Sequence, residues 1–130
     1  MIKTKDVKIG NLLMFENSIV EVVEINREAF YCEHKKYGLL ESSVCGFEGY
    51  PISKEMLIDM FNFVESDGKI YLPISDYGYV MEYLDWRGDW VISVEYYDPL
   101  LDSQLGELFS FGGLGLKYQH QLSNLLDEIL

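Results

Sequence analysis

Residues 116–130 carry the most regular pattern in this sequence, and they constrain the fold most. The apolar residues are spaced at i, i+4, i+7, i+8 and i+11: Tyr118, Leu122, Leu125, Leu126 and Ile129. This spacing places them on one face of an α-helix and leaves polar residues on the other face. Because such a helix is stabilised mainly by burial of its apolar face, the rest of the chain must supply a packing surface. We expect that surface to be a β-sheet.

Residues 1–50 have the pattern of a small β unit. Three short segments rich in apolar and β-branched residues, 12–15, 19–25 and 29–34, are separated by turn-forming residues that include Asn17. Three short strands joined by tight turns predict a small SH3-like or partly open barrel.

A short helix and two hairpins are predicted in the middle of the chain. Ser53 is a suitable N-cap for a helix over residues 55–61. The predicted strands that follow are 63–65, 69–72, 78–84, 90–97 and 107–111. The first two flank Asp67-Gly68, which is a strong hairpin signal, and the next two flank the turn-like segment 85–89.

Together these elements predict a strand-rich α+β fold in a single domain, residues 1–130. An N-terminal SH3-like small barrel, 1–50, precedes an antiparallel sheet packed by the C-terminal amphipathic helix, 51–130. These two parts are either subdomains of one domain or share one core. The length suits one domain, and 48% apolar residues exclude a disordered chain.

Charge is the strongest compositional feature. The sequence has 22 acidic and 10 basic residues, a net charge of −12, which is the opposite of a basic nucleic-acid reader. Between residues 71 and 116, eight acidic residues stand against one basic residue, Arg87. No apolar run is long enough to span a bilayer, and no secretion signal follows the first lysines. We therefore expect a cytoplasmic protein with no membrane contact and no direct binding to nucleic acid.

The sequence predicts no metal and no cofactor. Cys32, Cys45, His34 and His120 occur without the close spacing of zinc ligands. In a cytoplasmic chain the two cysteines are expected to be buried thiols rather than a disulfide.

Two features near the C-terminal helix need interpretation. Gly112, Gly113 and Gly115 precede it without any phosphate-loop motif, so we interpret them as a flexible strand-to-helix corner. His120 would need a nucleophile or carboxylate nearby for catalysis, and no triad partner is visible in the sequence. We favour the interpretation that His120 bonds a strand carbonyl or Asn124 and fixes the helix to the sheet.

The acidic middle region supplies the candidate partner-binding residues: Glu82, Asp85, Trp86, Asp89, Glu95 and Asp98. An exposed tryptophan among carboxylates is a good binding anchor, but a tryptophan that caps the core fits the pattern equally well. Carboxylates along adjacent strands can mimic the phosphates of a nucleic acid, or can simply form a solvated face that keeps the protein soluble.

Three segments of the chain resemble small uncharacterised proteins from phages and prophages of Bacteroidetes bacteria. Residues 117–125, KYQHQLSNL, resemble their closing helix K-Y-V-H-Q-L-Q-N-L. Residues 7–13 are similar to their start I-R-I-G-N-L/Y-V, and residues 50–63 to their segment P-I-P-L-T-E-E-W-L followed by F-G-F. The departures from this pattern are Met56, Gln119 and Ser123. The resemblance implies a cytoplasmic protein carried by a phage or mobile element, and it implies no chemistry.

We therefore expect a non-enzymatic interaction protein of phage or mobile-element origin that binds a host or phage protein. In its sharpest form it is an acidic nucleic-acid mimic that inhibits a host DNA- or RNA-binding defence protein. The alternative is a structural, assembly or docking protein that uses residues 1–50 and forms a homodimer. An enzyme, the third alternative, would require a pocket that gathers His120 or His34 with carboxylates.

Overall fold

The computed structural model describes residues 2–66, 68–74, 77–98, 103–110 and 115–130. Within them the chain forms two antiparallel five-stranded sheets and ends in a helix, which confirms the predicted strand-rich α+β fold. It divides into two units: the first is Met1–Pro51 with Lys117–Leu130, and the second is Ile52–Leu116. None of the helices in the described ranges has the length and apolar character needed to cross a membrane.

The first unit opens with a 3-10 helix, Thr4–Asp6, followed by five strands. They are β1 (Leu12–Phe15), β2 (Ser18–Ile25), β3 (Phe30–His34), β4 (Gly38–Glu41) and β5 (Glu48–Gly49). The sheet order is β4-β3-β2-β1-β5, with every neighbouring pair antiparallel. The predictions of β1, β2 and β3 are confirmed, whereas β4 and β5 were not predicted. Both end strands have a single strand neighbour among the described residues, so the sheet does not close there into a barrel.

The core of the first unit follows the alternation of its strands. Val20 and Val22 of β2 and Phe30 and Cys32 of β3 are buried, and the residues between them are more exposed. The ring of Phe30 lies 5.5 Å from that of Phe47. Cys32 and Cys45 are free thiols, and burial, assisted by the nearby Cys45, raises the pKa of Cys32 to about 12. The thiol of Cys32 therefore behaves as a small apolar core group.

The C-terminal helix is confirmed as α2 (Gln119–Ile129), but its expected packing partner is wrong. The helix belongs to the first unit, where it contacts β1, and not to the sheet formed by the middle of the chain. Leu122 and Leu126 are buried on its apolar face. Hydrogen bonds as well as apolar burial hold α2 against β1, because side chains of α2 form hydrogen bonds with the segment around β1.

The second unit contains α1 (Lys54–Asp59) and the second sheet. Its strands are β6 (Val64–Ser66), β7 (Lys69–Ile74), β8 (Tyr77–Leu84), β9 (Asp89–Asp98) and β10 (Ser103–Ser110), in the order β10-β9-β8-β7-β6. The N-cap at Ser53 is confirmed, because its Oγ accepts a hydrogen bond of 3.1 Å from the amide of Met56. Both predicted hairpins are confirmed as β6–β7 and β8–β9.

The last predicted strand and corner are only partly described. β10 begins at Ser103, four residues before the predicted start at Glu107, and it includes the predicted positions up to Ser110. Phe111, Gly112 and Gly113 lie outside the described residues, as does Asp67 of the first hairpin turn.

Two adjacent strands and the region of α1 supply much of the buried core of the second unit. Met81 of β8 lies opposite Ile92 of β9 in the ladder, and both are almost fully buried. From the region of α1, Leu57 and Phe63 are also buried. The turn between β8 and β9 includes Gly88 at φ +73°, a left-handed conformation that glycine adopts without strain.

Candidate functional site

The turn between β8 and β9 presents an exposed tryptophan. Trp86 is 81% exposed, so the interpretation of this residue as a cap on the core is wrong. The guanidinium of Arg87 lies 5.9 Å from the centroid of the Trp86 ring, at the distance of a cation–π contact. Glu82, Tyr83 and Asp85 are also exposed. We refer to Glu82, Tyr83, Asp85 and Trp86 as the hairpin tip.

Asp89 does not belong to this exposed surface, which corrects the prediction for that residue. It is 7% exposed, and its Oδ1 lies 3.3 Å from Nε of Arg87, an ion pair without hydrogen-bond geometry. A Cβ added to Gly115 would collide with the Asp89 carboxylate, so the backbone at Gly115 packs directly against it. A carboxylate in this position is part of the packing of the second unit and cannot meet a partner.

Glu95 and Asp98 lie on β9, where the backbone of Glu95 is paired with Gly78. Their side chains lie outside the described part of the structure. Of the six predicted partner-binding residues, the described side chains therefore bring three to the surface of the hairpin tip: Glu82, Asp85 and Trp86.

A second candidate site, which we call the His120 cleft, lies within the first unit. It has a volume of about 540 Å³ and lies where the start of α2 meets the 3-10 helix and β5. Its lining residues are Ile2, Asp6, Phe47, Gly49, Tyr118, His120, Gln121 and Asn124. It gathers a histidine with a carboxylate, the combination that sequence analysis set as a requirement for an enzyme.

Amide side chains hold the wall of this cleft in place. The Nδ2 group of Asn124 donates to the backbone carbonyl of Asp6 over 3.1 Å, and its Oδ1 accepts from Nδ2 of Asn11 over 2.9 Å. One turn earlier, Oε1 of Gln119 accepts from the amide of Leu12 over 2.8 Å. These bonds join α2 to β1 and to the 3-10 helix. Sequence analysis considered Asn124 only as a partner of His120 and gave Gln119 no role.

The hydrogen bonds described above that anchor the helix come from Gln119 and Asn124, and the bond predicted for His120 is not made by its Nδ1. His120 is only 5% exposed, yet its Nδ1 has no hydrogen-bond partner among the described residues. The ring stacks on that of Tyr118, with centroids 6.0 Å apart and planes 8° apart. Tyr118 in turn lies against the backbone of Gly49, where an added Cβ would collide with its ring. Burial lowers the pKa of His120, and the charge of Asp6 acts in the opposite direction.

The described lining of the cleft offers a carboxylate, an imidazole and two aromatic rings. Among the described residues there is no cluster of three or more His, Cys, Asp or Glu side chains suited to a metal ion. His34 lies elsewhere in the unit, where its Nδ1 accepts hydrogen bonds from the amides of Lys36 and Tyr37.

Acidification is expected to destabilise the protein through His120. Burial lowers the pKa of His120 in the folded state below the ordinary value of 6.5, so the unfolded chain takes up the proton first. This contribution to stability is fully present above pH 6.5 and is lost as the pH falls from there through the lowered folded-state pKa. Urea unfolding of the wild type and of His120→Leu, measured between about pH 8 and 5, tests this. The variant should gain stability relative to the wild type at acidic pH, and a difference independent of pH would contradict the expectation.

No protein-family model, curated protein or solved structure matches this chain.

Proposed function

We propose that this protein is a non-enzymatic interaction protein that binds a basic surface of a partner protein through its hairpin tip. The observation that carries the proposal is the 81% exposure of Trp86 beside the exposed carboxylate of Asp85. Tryptophan is the residue type most enriched at binding hot spots, where it fills a pocket on the partner. A tryptophan that contributes so little to the packing of its own chain is well placed for this role.

Charge supports a basic partner. The chain carries a net charge of −12, and the exposed Glu82 and Asp85 add a local negative field at the hairpin tip. Such a field attracts lysine and arginine side chains and accelerates encounter, with a strength that falls as salt rises. Tyr83, 47% exposed and packed 5.4 Å from the ring of Trp90, adds apolar area next to these charges.

The finer proposal is a nucleic-acid mimic of phage or mobile-element origin that acts in the host cytoplasm on a DNA- or RNA-binding defence protein. The acidic composition supports it, as does the resemblance of three segments to Bacteroidetes phage proteins. Asp89 is buried, so the described carboxylates that can imitate phosphates at the hairpin tip are those of Glu82 and Asp85.

A stepwise salt wash tests the charge component of this proposal. The tagged protein is incubated with lysate of a Bacteroidetes bacterium and washed from about 0.1 M to about 1 M salt, over which the screening length falls from about 10 Å to about 3 Å. We expect a basic nucleic-acid-binding protein to be retained at low salt and released at moderate salt. The double variant Glu82→Lys/Asp85→Lys should lose it.

The control for this experiment is Glu24→Lys/Glu28→Lys, which changes the net charge equally at exposed positions of the first unit. The control should retain the partner. Equal capture by both double variants would refute a role for the hairpin-tip charges.

A second candidate function rests on the edge of the first sheet. On the end strand β4, Leu39 is 56% exposed, and Tyr37 before it is 52% exposed. An apolar edge strand can pair with a strand of another molecule, which would suit an SH3-like docking or assembly unit and a homodimer. Recovery of only the protein itself, retained at high salt, would favour this alternative.

A further inference from the structure

The outer edge of β4 presents backbone groups that can pair with another strand. Within the described part of the chain, β4 has a strand neighbour only on the side of β3. The amide of Ser42 bonds the carbonyl of Phe30 over 2.9 Å, and in an antiparallel ladder such bonded pairs alternate with pairs that are not bonded. By this alternation the pair Glu33–Leu39 is not bonded. The N–H and C=O of Leu39 therefore point away from β3, towards the open edge.

Apolar side chains are exposed at the same edge, and its backbone is fixed. Leu39, Tyr37 and Val44 are all more than half exposed. The turn that leads into β4 is held by Nδ1 of His34, which accepts hydrogen bonds from the amides of Lys36 and Tyr37. β4 itself contains no proline, and its ladder with β3 contains no bulge. The edge thus lacks two of the features that commonly prevent an end strand from pairing.

The charges at the two ends of β4 favour a second copy of the same strand. Lys35 and Lys36 precede the strand, and Glu41 ends it. An antiparallel copy would bring its Glu41 beside these lysines, at both ends of the pairing. A parallel copy would instead place like charges together, which is destabilising. The sequence of this edge is therefore complementary to itself in the antiparallel direction, as an interface with twofold symmetry requires.

The distribution of charge also favours self-association through the first unit. The first unit has ten acidic and seven basic residues, whereas the second has twelve acidic and three basic residues. Two copies of a chain with a net charge of −12 repel each other, and the repulsion is weakest between surfaces on which the charges nearly balance. β4 lies in that nearly balanced unit.

We propose that β4 pairs with β4 of a second copy in the antiparallel direction, about a twofold axis at Leu39. The N–H and C=O of Leu39 exchange hydrogen bonds with those of Leu39 in the second copy, and Lys35 and Lys36 lie beside its Glu41. This inference rests on the second candidate function and adds the partner strand, its direction and its register. Because four residues of each copy form a small interface, we expect a Kd of about 0.1–1 mM.

A dilution series of the ¹⁵N-labelled full chain, from about 1 mM to about 0.05 mM, brackets this Kd. We expect the amide signals of β4 to shift with concentration and translational diffusion to slow at the highest concentration. Leu39→Lys should remove both effects, because it places two like charges at the twofold axis. The matched control is Ile19→Lys, at a residue 52% exposed on β2, which has strand neighbours on both sides. The control should associate like the wild type.

Two outcomes of this series would overturn the proposal. One is a wild type whose signals and diffusion do not depend on concentration. The other is association of Leu39→Lys with the affinity of the wild type.

A charge exchange tests the direction and the register. Glu41→Lys, and separately Lys35→Glu/Lys36→Glu, place like charges together at both ends of the pairing, so each should weaken self-association by about tenfold or more. In an equal mixture of the two variants, a mixed dimer has opposite charges at both ends and should recover the wild-type affinity. Labelling only one variant with ¹⁵N reports the mixed dimer. Folded variants that fail to associate on mixing would refute the antiparallel register.

Two further comparisons separate this proposal from the functions on which it could depend. Trp86→Ala should self-associate like the wild type, because the hairpin tip takes no part in the pairing. If the wild type stays monomeric while Leu39→Lys loses a different protein captured from lysate, the second copy is refuted as the occupant and the docking function of the edge stands. If Glu41→Lys fails to fold, the comparison of Leu39→Lys with Ile19→Lys carries the test.

Discussion

Leu122→Ala is expected to lower the free energy of unfolding of the first unit by about 2–5 kcal/mol. Leu122 is fully buried on the face of α2 that contacts β1. The substitution removes the transfer free energy of the lost methyl groups and leaves a cavity that the surrounding side chains fill only partly. A loss of this size is a large part of the stability of a small domain.

The matched control lies at the C-cap of the same helix. Leu130 is 64% exposed, so Leu130→Ala should change the free energy of unfolding by no more than about 0.5 kcal/mol. Native-state hydrogen exchange gives the measurement, read at the amide of Val22, which bonds the carbonyl of Asn11 over 2.9 Å. A Leu122→Ala effect confined to amides of β7, β8 and β9 would contradict the packing of α2 in the first unit and would restore the arrangement expected from the sequence.

The elements that sequence analysis identified are those specified by local patterns. β1 is a short apolar run, β2 and β3 are rich in apolar and β-branched residues and lie between tight turns, and the five apolar residues of the C-terminal segment fit a single helical period. β5 could not be found in this way. It consists of two residues that become a strand only by pairing with Leu13 and Met14, more than 30 positions earlier in the chain.

The packing partner of α2 was not predictable because an apolar stripe shows that a face is buried, but not against what. The specifying contact joins Asn11 and Asn124, which are 113 positions apart. Burial of Asp89 has the same origin, since it depends on Gly115 and an ion pair with Arg87. Carboxylates are rarely buried unless paired, so sequence analysis counted Asp89 with the exposed acids.

The two candidate sites differ in how much of each could be predicted from the sequence. A turn between two predicted strands favours exposure of its residues, so Trp86 could be proposed as an anchor before the structure showed its position. The His120 cleft required the 3-10 helix and α2 to meet, which brings together residues from the two ends of the chain, including Asp6 and Tyr118. No spacing pattern in the sequence predicts that the 3-10 helix and α2 contact each other.

Trp86→Ala is expected to weaken binding of the partner protein by about 30-fold or more, which corresponds to the loss of about 2 kcal/mol that defines a hot spot. The side chain is 81% exposed in the free protein, so its removal should change the free energy of unfolding by no more than about 0.5 kcal/mol. The lost affinity therefore reports the interface and not the fold. Calorimetry or biolayer interferometry with the purified partner at about 0.15 M salt provides the measurement.

Salt separates the aromatic contribution of the hairpin tip from its charge contribution. Trp86→Ala removes apolar contact area, so it should lower the affinity by a similar factor at every salt concentration, with dissociation accelerated more than association is slowed. Glu82→Lys/Asp85→Lys should instead reduce the dependence of affinity on salt and slow association. Tyr37→Ala, at an aromatic residue of the first unit that is 52% exposed, is the control and should bind like the wild type. If Tyr37→Ala weakens binding and Trp86→Ala does not, the partner uses the β4 edge, and the docking function replaces the one proposed for the hairpin tip.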